Sequence, residues 1–330
     1  MRRASALVLA RGLHGDRLFT VARGEVLGMN QRIVTVFGGT GFLGRAIVRR
    51  VAGTGARVRI AARWPEKAEF PGLSAQIERS RVDVREEEGV KAALHGAYVA
   101  VNSVSLYEEH GGLDFESIHV EGAARIARLA RDDGVEQVVH ISGIGVDPTS
   151  SSAYVRARAR GEQRVREAFP NATVLRPSVL FGPGDSFIRT LDGLSRLPVI
   201  PLFGDGSVRL QPVYVEDVAE AVNSALGQPA SGAFELGGRD ILSYREILRA
   251  VLRERSRRRL LLPVPFPIWR ALAGIASLLP SPPLTRDQVA LMQADNVVAS
   301  GVRNFSDLHI TPRGFRELLP DCLPGTETKV

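Results

Sequence analysis

The stretch Val34-Thr-Val-Phe-Gly38-Gly-Thr-Gly41-Phe-Leu-Gly44 decides how the chain reads. An apolar run, 33–37, stops at a glycine, turns, and resumes with helical spacing at Phe42, Leu43, Ala46, Ile47 and Val51. That is a strand, a tight turn and a helix N-terminus. Gly38 supplies turn geometry that a side chain resists. Gly41 lets the backbone approach a ligand, and Gly44 lets the helix pack against the strand. The free N–H groups at the helix start and the positive end of its dipole favour a pyrophosphate. The spacing is G-x-x-G-x-x-G, not the G-x-G-x-x-G of the usual dinucleotide fingerprint. A purely structural turn is the alternative. A buried-looking strand before the glycines and a second strand-like run after them, 57–61, favour nucleotide binding.

Working outward, strand-like runs fall at 33–37, 57–61, 77–82, 97–104, 137–142 and 172–176. Helix-like runs lie between them at 42–53, 86–95, 114–132 and 152–168. This alternation predicts an α/β fold, a doubly wound parallel sheet of Rossmann type covered by helices on both faces. Pro177 closes the sixth strand and Gly182-Pro-Gly-Asp185 is a loop. The expected division is a dinucleotide-binding domain at 31–182 and a small C-terminal lobe at 183–330, with 208–226 packing back on the first. Helices are expected at 186–196, 215–226 and 243–256, the last started by the capping box Ser243-Tyr-Arg-Glu246. Residues 1–30 are expected to lie outside the fold. They are rich in Arg and poor in acids, as transit peptides are; the duller reading is that Met29 is the true start.

Hydrophobic content of 44% and charged content of 24% are those of an ordinary soluble globule. A lone Cys322 excludes an internal disulfide and a cysteine-based metal cluster, and fits a reducing compartment. The six histidines have no ligand-type spacing, so no metal is expected. No stretch reaches the ~18 apolar residues that span a bilayer. The longest uncharged run, 271–285, is interrupted by Pro280, Pro282 and Pro283. The net charge of +7 is uneven: 1–32 carries six Arg against Asp16 and Glu25, and 240–270 carries eight Arg against Asp240, Glu246 and Glu254. The remainder is close to neutral, which argues against a nucleic-acid partner, since that would need a basic stripe on the fold itself.

Dinucleotide sites often place an acid after the second strand to bind the ribose 2′-hydroxyl. Here the strand ends in Arg63, and Lys67 follows. A cation there suits a 2′-phosphate, so NADP(H) is expected over NAD(H); the alternative is a solvated turn residue. Asp83 would accept from the adenine amino group, beside Val84. Asn102 and Ser103 would line the pyrophosphate and ribose. A plain loop role is the alternative for each.

These residues together resemble the extended and atypical short-chain dehydrogenase/reductases. The likeness rests on Phe37-Gly-Gly-Thr-Gly-Phe-Leu-Gly44, Asp83-Val84, His140-Ile-Ser142, Tyr154, Leu175-Arg-Pro-Ser-Val-Leu-Phe-Gly182 and Gln211-Pro-Val-Tyr-Val-Glu-Asp217. A narrower likeness, over roughly 31–295, is to the NADPH-binding accessory subunits of respiratory complex I (NADH:ubiquinone oxidoreductase). It is carried by 151–170, by Phe266-Pro and Trp269, and by Thr285-Arg-Asp-Gln288. The resemblance implies cofactor contacts from Gly38, Thr40, Gly41, Phe42, Leu43, Gly44, Arg63, Asp83, Val84, Asn102, Ser142, Tyr154 and Pro177. It also implies partners among complex I subunits at the membrane-facing side. The expected location is the cytoplasmic face of a bacterial inner membrane, or the matrix side of the mitochondrial one if 1–30 is a transit peptide.

Enzymes of this family use a Tyr and a Lys four residues later, with a Ser or Thr nearby. That spacing puts both side chains on one helix face, where the ammonium stabilises the phenolate. Here Tyr154 is present, but Arg158 stands at the Lys position. Past Ser142, where the extended class has a hydroxyl, stand Gly143 and Ile144. Tyr154 and Arg158 therefore read as a degenerate catalytic pair, and independent catalysis is not expected. The runner-up is an NADP-dependent reductase or a sugar-nucleotide epimerase or dehydratase.

The segment from Arg253-Glu-Arg-Ser-Arg-Arg-Arg259 to Trp269 has three readings. It is a solvated helix end with a covering lobe, an anionic lipid contact through Arg with Phe266, Trp269, Leu272 and Ile275 against acyl chains, or a protein docking surface.

Overall fold

The computed structural model describes residues 32–227, 231–277, 279 and 284–325. The expectations for 1–30 and for Pro280, Pro282 and Pro283 fall outside these residues. The sheet has seven parallel strands, β1 (Ile33–Phe37), β2 (Arg57–Ala62), β3 (Ile77–Arg81), β4 (Ala97–Asn102), β5 (Gln137–Ile141), β6 (Thr173–Pro177) and β11 (Gly232–Leu236). Their order is β11-β6-β5-β4-β1-β2-β3, so the chain reverses direction of travel between β1 and β4.

Both faces of the inner strands are covered, which is why β1 and β4 are nearly unbroken apolar runs, whereas the edge strand β3 is largely polar and exposed. On one face Val34, Val36, Val58 and Ile60 meet α1 (Phe42–Ala52) and α6 (Val215–Gly227). Arg49 and Arg50 of α1 pair with Glu216 and Glu220 of α6. On the other face Phe37, Ala100 and Val138 meet α2 (Glu87–Leu94), α3 (Ala123–Asp132) and α4 (Ala153–Ala168).

The helix expected at 114–132 begins with a wider, π-helical segment, Glu116–Gly122, before α3. Gly161 of α4 lies so close beneath it that a Cβ there would sit 1.9 Å from the His119 carbonyl oxygen. The seventh strand was missed in the sequence: β11 lies within the stretch assigned to the C-terminal lobe, yet it pairs with β6 from Gly232↔Thr173 to Leu236↔Pro177. The sequence carries turn residues at Pro229, Ser231 and Gly232, but the run that follows holds only Phe234 and Leu236 as large apolar residues, a weak strand signal in a stretch where the strand–helix alternation has become irregular.

A separate core is built by Phe181, Ile188, Leu191, Ile200, Tyr244, Leu248, Phe315 and Leu319. It joins α5 (Ser186–Leu194), β8 (Val199–Phe203), α7 (Tyr244–Glu254) and α10 (Phe315–Cys322). The Ser243–Glu246 capping box starts α7, each residue bonding the other's backbone.

The expected helix at 243–256 is shorter, and the reading of 253–259 as its solvated end is corrected. The helix stops at Glu254, Ser256 takes the left-handed region at φ 51°, and Arg257 N donates back to Leu252 O. The turn carries the arginines inward. Arg255 Nε donates to Asp192 Oδ1 at 2.6 Å, Arg257 Nη1 to Ser195 Oγ at 2.5 Å, and Arg259 Nε to Ser195 O at 3.2 Å. Asp192 and Ser195 are buried; Arg257 also lies 3.8 Å from the Asp192 carboxylate, and Arg196 adds a third cation to it. Of the five arginines in 253–259, for which a lipid contact was one reading, Arg255, Arg257 and Arg259 are thus half-buried pins of the lobe, while Arg253 and Arg258 are exposed.

β13 (Leu260–Val264) then pairs with β8, and α8 (Phe266–Ala276) follows. Trp269 does not point outward as expected: its indole donates to Leu202 O and its ring packs on Phe203. Phe266 packs over Gly204. The outer face carries Leu260, Leu262, Ile268, Leu272, Ile275 and Leu279, all exposed.

Candidate functional site

The glycine turn follows β1. Gly38 has φ +78°, its N–H donates to Ala61 O, and a Cβ there would lie 2.9 Å from the Ser103 and Val104 backbone. A Cβ on Gly44 would sit 2.1 Å from the Gly38 carbonyl oxygen. The turn therefore folds against its own helix and against the chain leaving β4, and a side chain at either position would open it. Gly41 caps α1 with no side-chain bond and no acid in the first turn. The first-turn N–H groups are left facing the crevice at the carboxyl ends of β1 and β4, the place where doubly wound sheets bind ligands. This cradle fits a diphosphate. Thr40 and Phe42 are half-buried at its rim, and Leu43 is buried beneath it.

Toward β2 and β3 the crevice is basic. Arg63 is exposed. Trp64, beside it, has the Arg81 guanidinium 4.7 Å and the Lys67 ammonium 5.2 Å from its ring centre. Trp64 and Arg81 were missed in the sequence. The signal was the parallel register, because Arg81 pairs with Ala62 and so ends its strand level with Arg63. Asp83 is already engaged: its two oxygens accept from Arg85 at 3.0 and 2.7 Å, and those hydrogen bonds hold its carboxyl below the usual range. Only its remaining lone pairs are open to an adenine. Val84 is buried against Gly122.

Toward β4, β5 and β6 the expected residues divide. The Asn102 side chain does not face the crevice as expected. It is buried, its Oδ1 accepts from Val104 N, and its Nδ2 lies 3.2 Å from His140 Nδ1. Ser103 Oγ donates to Phe37 O. Ser142 is buried near the Glu162 carboxylate, and Pro177 O accepts from Ile144 N.

Tyr154 and Arg158 do come together, on α4. The Arg158 guanidinium carbon lies 5.5 Å from the Tyr154 ring centre. Arg158 is buried and donates to Ser105 Oγ and Ile141 O, both at 3.3 Å. Tyr154 is packed by Tyr107, Phe115 and His119, with ring centres 5.8, 5.6 and 5.6 Å away. Burial pushes its phenol up to about 12 despite the pull of Arg158. The phenol is therefore in its protonated form at neutral pH. Ser105, which the sequence gave no reason to single out, supplies the hydroxyl nearest this pair. Two histidines back the site: burial lowers His119 to about 3 and His140 to about 4, Arg158 adding to both shifts.

Among the described residues no helix is long and apolar enough to cross a membrane.

The model of the NAD dependent epimerase/dehydratase family matches residues 34–237. The NADH dehydrogenase [ubiquinone] 1 alpha subcomplex subunit 9, mitochondrial, of Arabidopsis thaliana is 31% identical over 95% of this chain and 82% of its own. The NADH-ubiquinone oxidoreductase 40 kDa subunit, mitochondrial, of Neurospora crassa is 32% identical over 84% of this chain and 75% of its own. A ceramide reductase of Caulobacter vibrioides is 30% identical over 66% and 68%. Among solved structures, the UDP-glucose 4-epimerase of Thermus thermophilus in complex with NAD aligns with a TM-score of 0.62 at 20% identity, over 88% of this chain and 97% of that one. At that identity the likeness shows the fold alone. The chain belongs to the NAD dependent epimerase/dehydratase family, within the extended short-chain dehydrogenase/reductases.

Proposed function

We propose that this family member holds NADP(H) as a structural group and serves as an accessory subunit of respiratory complex I. The observation that carries the reading is the Tyr154–Arg158 pair: an arginine fixed by Ser105 Oγ and Ile141 O stands where the family's lysine would be, and burial raises the phenol beside it. The reach of the similarity supports the assembly role. The relatives named as complex I subunits align through the C-terminal lobe and well past the segment that the family model covers.

In this reading the α1 N-terminus takes the diphosphate, with Gly38, Thr40, Gly41, Phe42, Leu43 and Gly44 shaping the cradle. Arg63 takes the 2′-phosphate, and Asp83 and Val84 flank the adenine. Ser142, Tyr154 and Pro177 bound the nicotinamide half; Asn102 acts from behind, through His140 and the Val104 amide. When bound, a nicotinamide is a hydride carrier. What these residues do is bind and orient it, and exclude water.

The outer face of α8 and β13, with Ile268, Leu272 and Ile275, is the surface turned toward the membrane-facing side of the complex. The location is the matrix side of a mitochondrial inner membrane or the cytoplasmic face of a bacterial one. A second reading, a free NADP-dependent reductase, is favoured by the ceramide reductase similarity and by Ser105, which keeps a hydroxyl beside Tyr154 and Arg158.

The test is native gel electrophoresis of membranes from cells lacking this chain. Loss of mature complex I, restored by the wild-type chain and by Tyr154→Phe, supports the accessory reading. Normal complex I without the chain overturns it.

A further inference from the structure

Residues 285–296 leave the C-terminal lobe and cross the crevice. They begin α9 (Arg286–Leu291), whose capping box is Thr285 with Gln288. Asp287 Oδ1 accepts from the Ser152 hydroxyl and from Tyr154 N at 3.4 Å. It thereby places a carboxylate on the positive end of α4, the helix that carries Tyr154 and Arg158. Gln288 Nε2 donates to Glu108 Oε1 at 3.1 Å. Asn296 Oδ1 accepts from Ser178 Oγ at 2.6 Å and from Val179 N at 3.2 Å, and its Nδ2 donates to Ile144 O at 3.3 Å.

The partners are telling. Glu108 follows β4, Ile144 and Ser152 follow β5, and Ser178 and Val179 follow β6. These are successive strands on one side of the reversal point, and their loops bound the nicotinamide half of the crevice. One segment ties all three loops together. On the other side, beyond β2 and β3, Arg63 and Trp64 remain exposed.

We infer that 285–296 is a strap that closes the nicotinamide half of the site, retaining the nucleotide and denying a second substrate access to it. The inference rests on the reading that NADP(H) is bound. It adds a cause for the lack of turnover that is separate from the Tyr154–Arg158 chemistry. Asn296 is held by its backbone as well, its N–H donating to Arg209 O at 2.8 Å and its carbonyl accepting from Gln211 N at 3.1 Å, whereas Asp287 and Gln288 reach the loops only through half-buried polar side chains, so that end is the one to open locally without global unfolding.

The experiment uses the full chain and the variants Asp287→Ala, Asn296→Ala and the double. One arm follows displacement of bound nucleotide by excess labelled NADPH. The other follows amide hydrogen exchange in 103–108, 143–152 and 178–179. The strap predicts that the double variant exchanges nucleotide at least about tenfold faster and loses protection in all three loops, while its thermal midpoint without added nucleotide stays within a few degrees. If the double variant does not fold, Asp287→Asn carries the same test, with faster exchange expected. Unchanged nucleotide exchange in a folded variant overturns the strap and leaves the cofactor reading standing. A wild-type chain that releases no nicotinamide nucleotide on denaturation overturns both.

Discussion

Arg158 sits one helical turn from Tyr154 and is spent on the fold: its guanidinium reaches Ser105, Ile141 and the face of the Tyr154 ring. A lysine ammonium in its place would be a mobile point charge, free to serve ribose and phenolate together. The expected outcome is no hydride-transfer turnover above background with carbonyl or sugar-nucleotide substrates. Arg158→Lys should not create robust activity, because Tyr154 stays packed among Tyr107, Phe115 and His119 and Ile144 still lacks a hydroxyl. Arg158→Ala should destabilise by about 2 kcal/mol through lost packing and hydrogen bonds. Steady-state kinetics and thermal unfolding check both. Wild-type turnover that collapses in Tyr154→Phe would contradict this account.

Arg63 is the proposed 2′-phosphate ligand. A charge-assisted hydrogen bond is worth about 1.5–3 kcal/mol, so Arg63→Asp should weaken NADP(H) binding about tenfold to a hundredfold and shift preference toward NAD(H). Arg81→Ala should cost less, because its guanidinium is stacked on Trp64. Titration calorimetry with both nucleotides reads the ratio. An unchanged ratio in Arg63→Asp removes Arg63 from the site.

His119 and His140 are buried in neutral form, their folded pKa values near 3 and 4 against about 6.5 unfolded. A depressed folded value contributes stability that is present above the unfolded pKa and lost as pH falls from there through the folded value. Stability should therefore fall between pH 6.5 and 4, by about 3 kcal/mol per histidine. His140→Gln should flatten that slope in chemical denaturation measured at several pH values. An equal slope in the variant would mean that His140 is not neutral in the fold.

The fold and the glycine cradle were legible because their signals are local. A strand, a turn and a helix occupy adjacent residues, and the glycines stand where any side chain would collide. The Ser243 capping box is likewise a four-residue matter. What failed depends on partners distant in sequence. The Arg cluster looked like a free cationic surface because its acceptors, Asp192 and Ser195, lie about sixty residues away. Trp269 looked like an interfacial anchor, but its acceptor is Leu202. Asn102 ends its strand facing His140 rather than the crevice, a choice of face set by neighbouring strands. Asp287 reaches Ser152 across 135 residues, and no spacing rule announces it.

The inward arginines change what holds the chain at its working place. Asp192→Ala should destabilise the lobe by about 3 kcal/mol, since it leaves Arg196, Arg255 and Arg257 without their shared carboxylate. Arg258→Ser should cost almost nothing. Retention at the membrane should survive high salt, because apolar burial is not screened. Ile268→Ser, Leu272→Ser and Ile275→Ser together should weaken it about a hundredfold, at about 1 kcal/mol for each half-exposed side chain, with the thermal midpoint little changed. Co-sedimentation with membranes at several salt concentrations distinguishes these cases; loss in salt alone would return the role to charge.

The central claim is membership of complex I with a nucleotide that does not turn over. The direct measurement is to purify complex I from the organism that encodes this chain, quantify the chain by mass spectrometry, and assay the nucleotide released on denaturation before and after sustained NADH oxidation. The account predicts one copy of the chain per complex and one NADP(H) per chain, unchanged in amount and redox state by turnover. A complex I that lacks the chain, or a bound nucleotide that is oxidised and replaced during turnover, would contradict it.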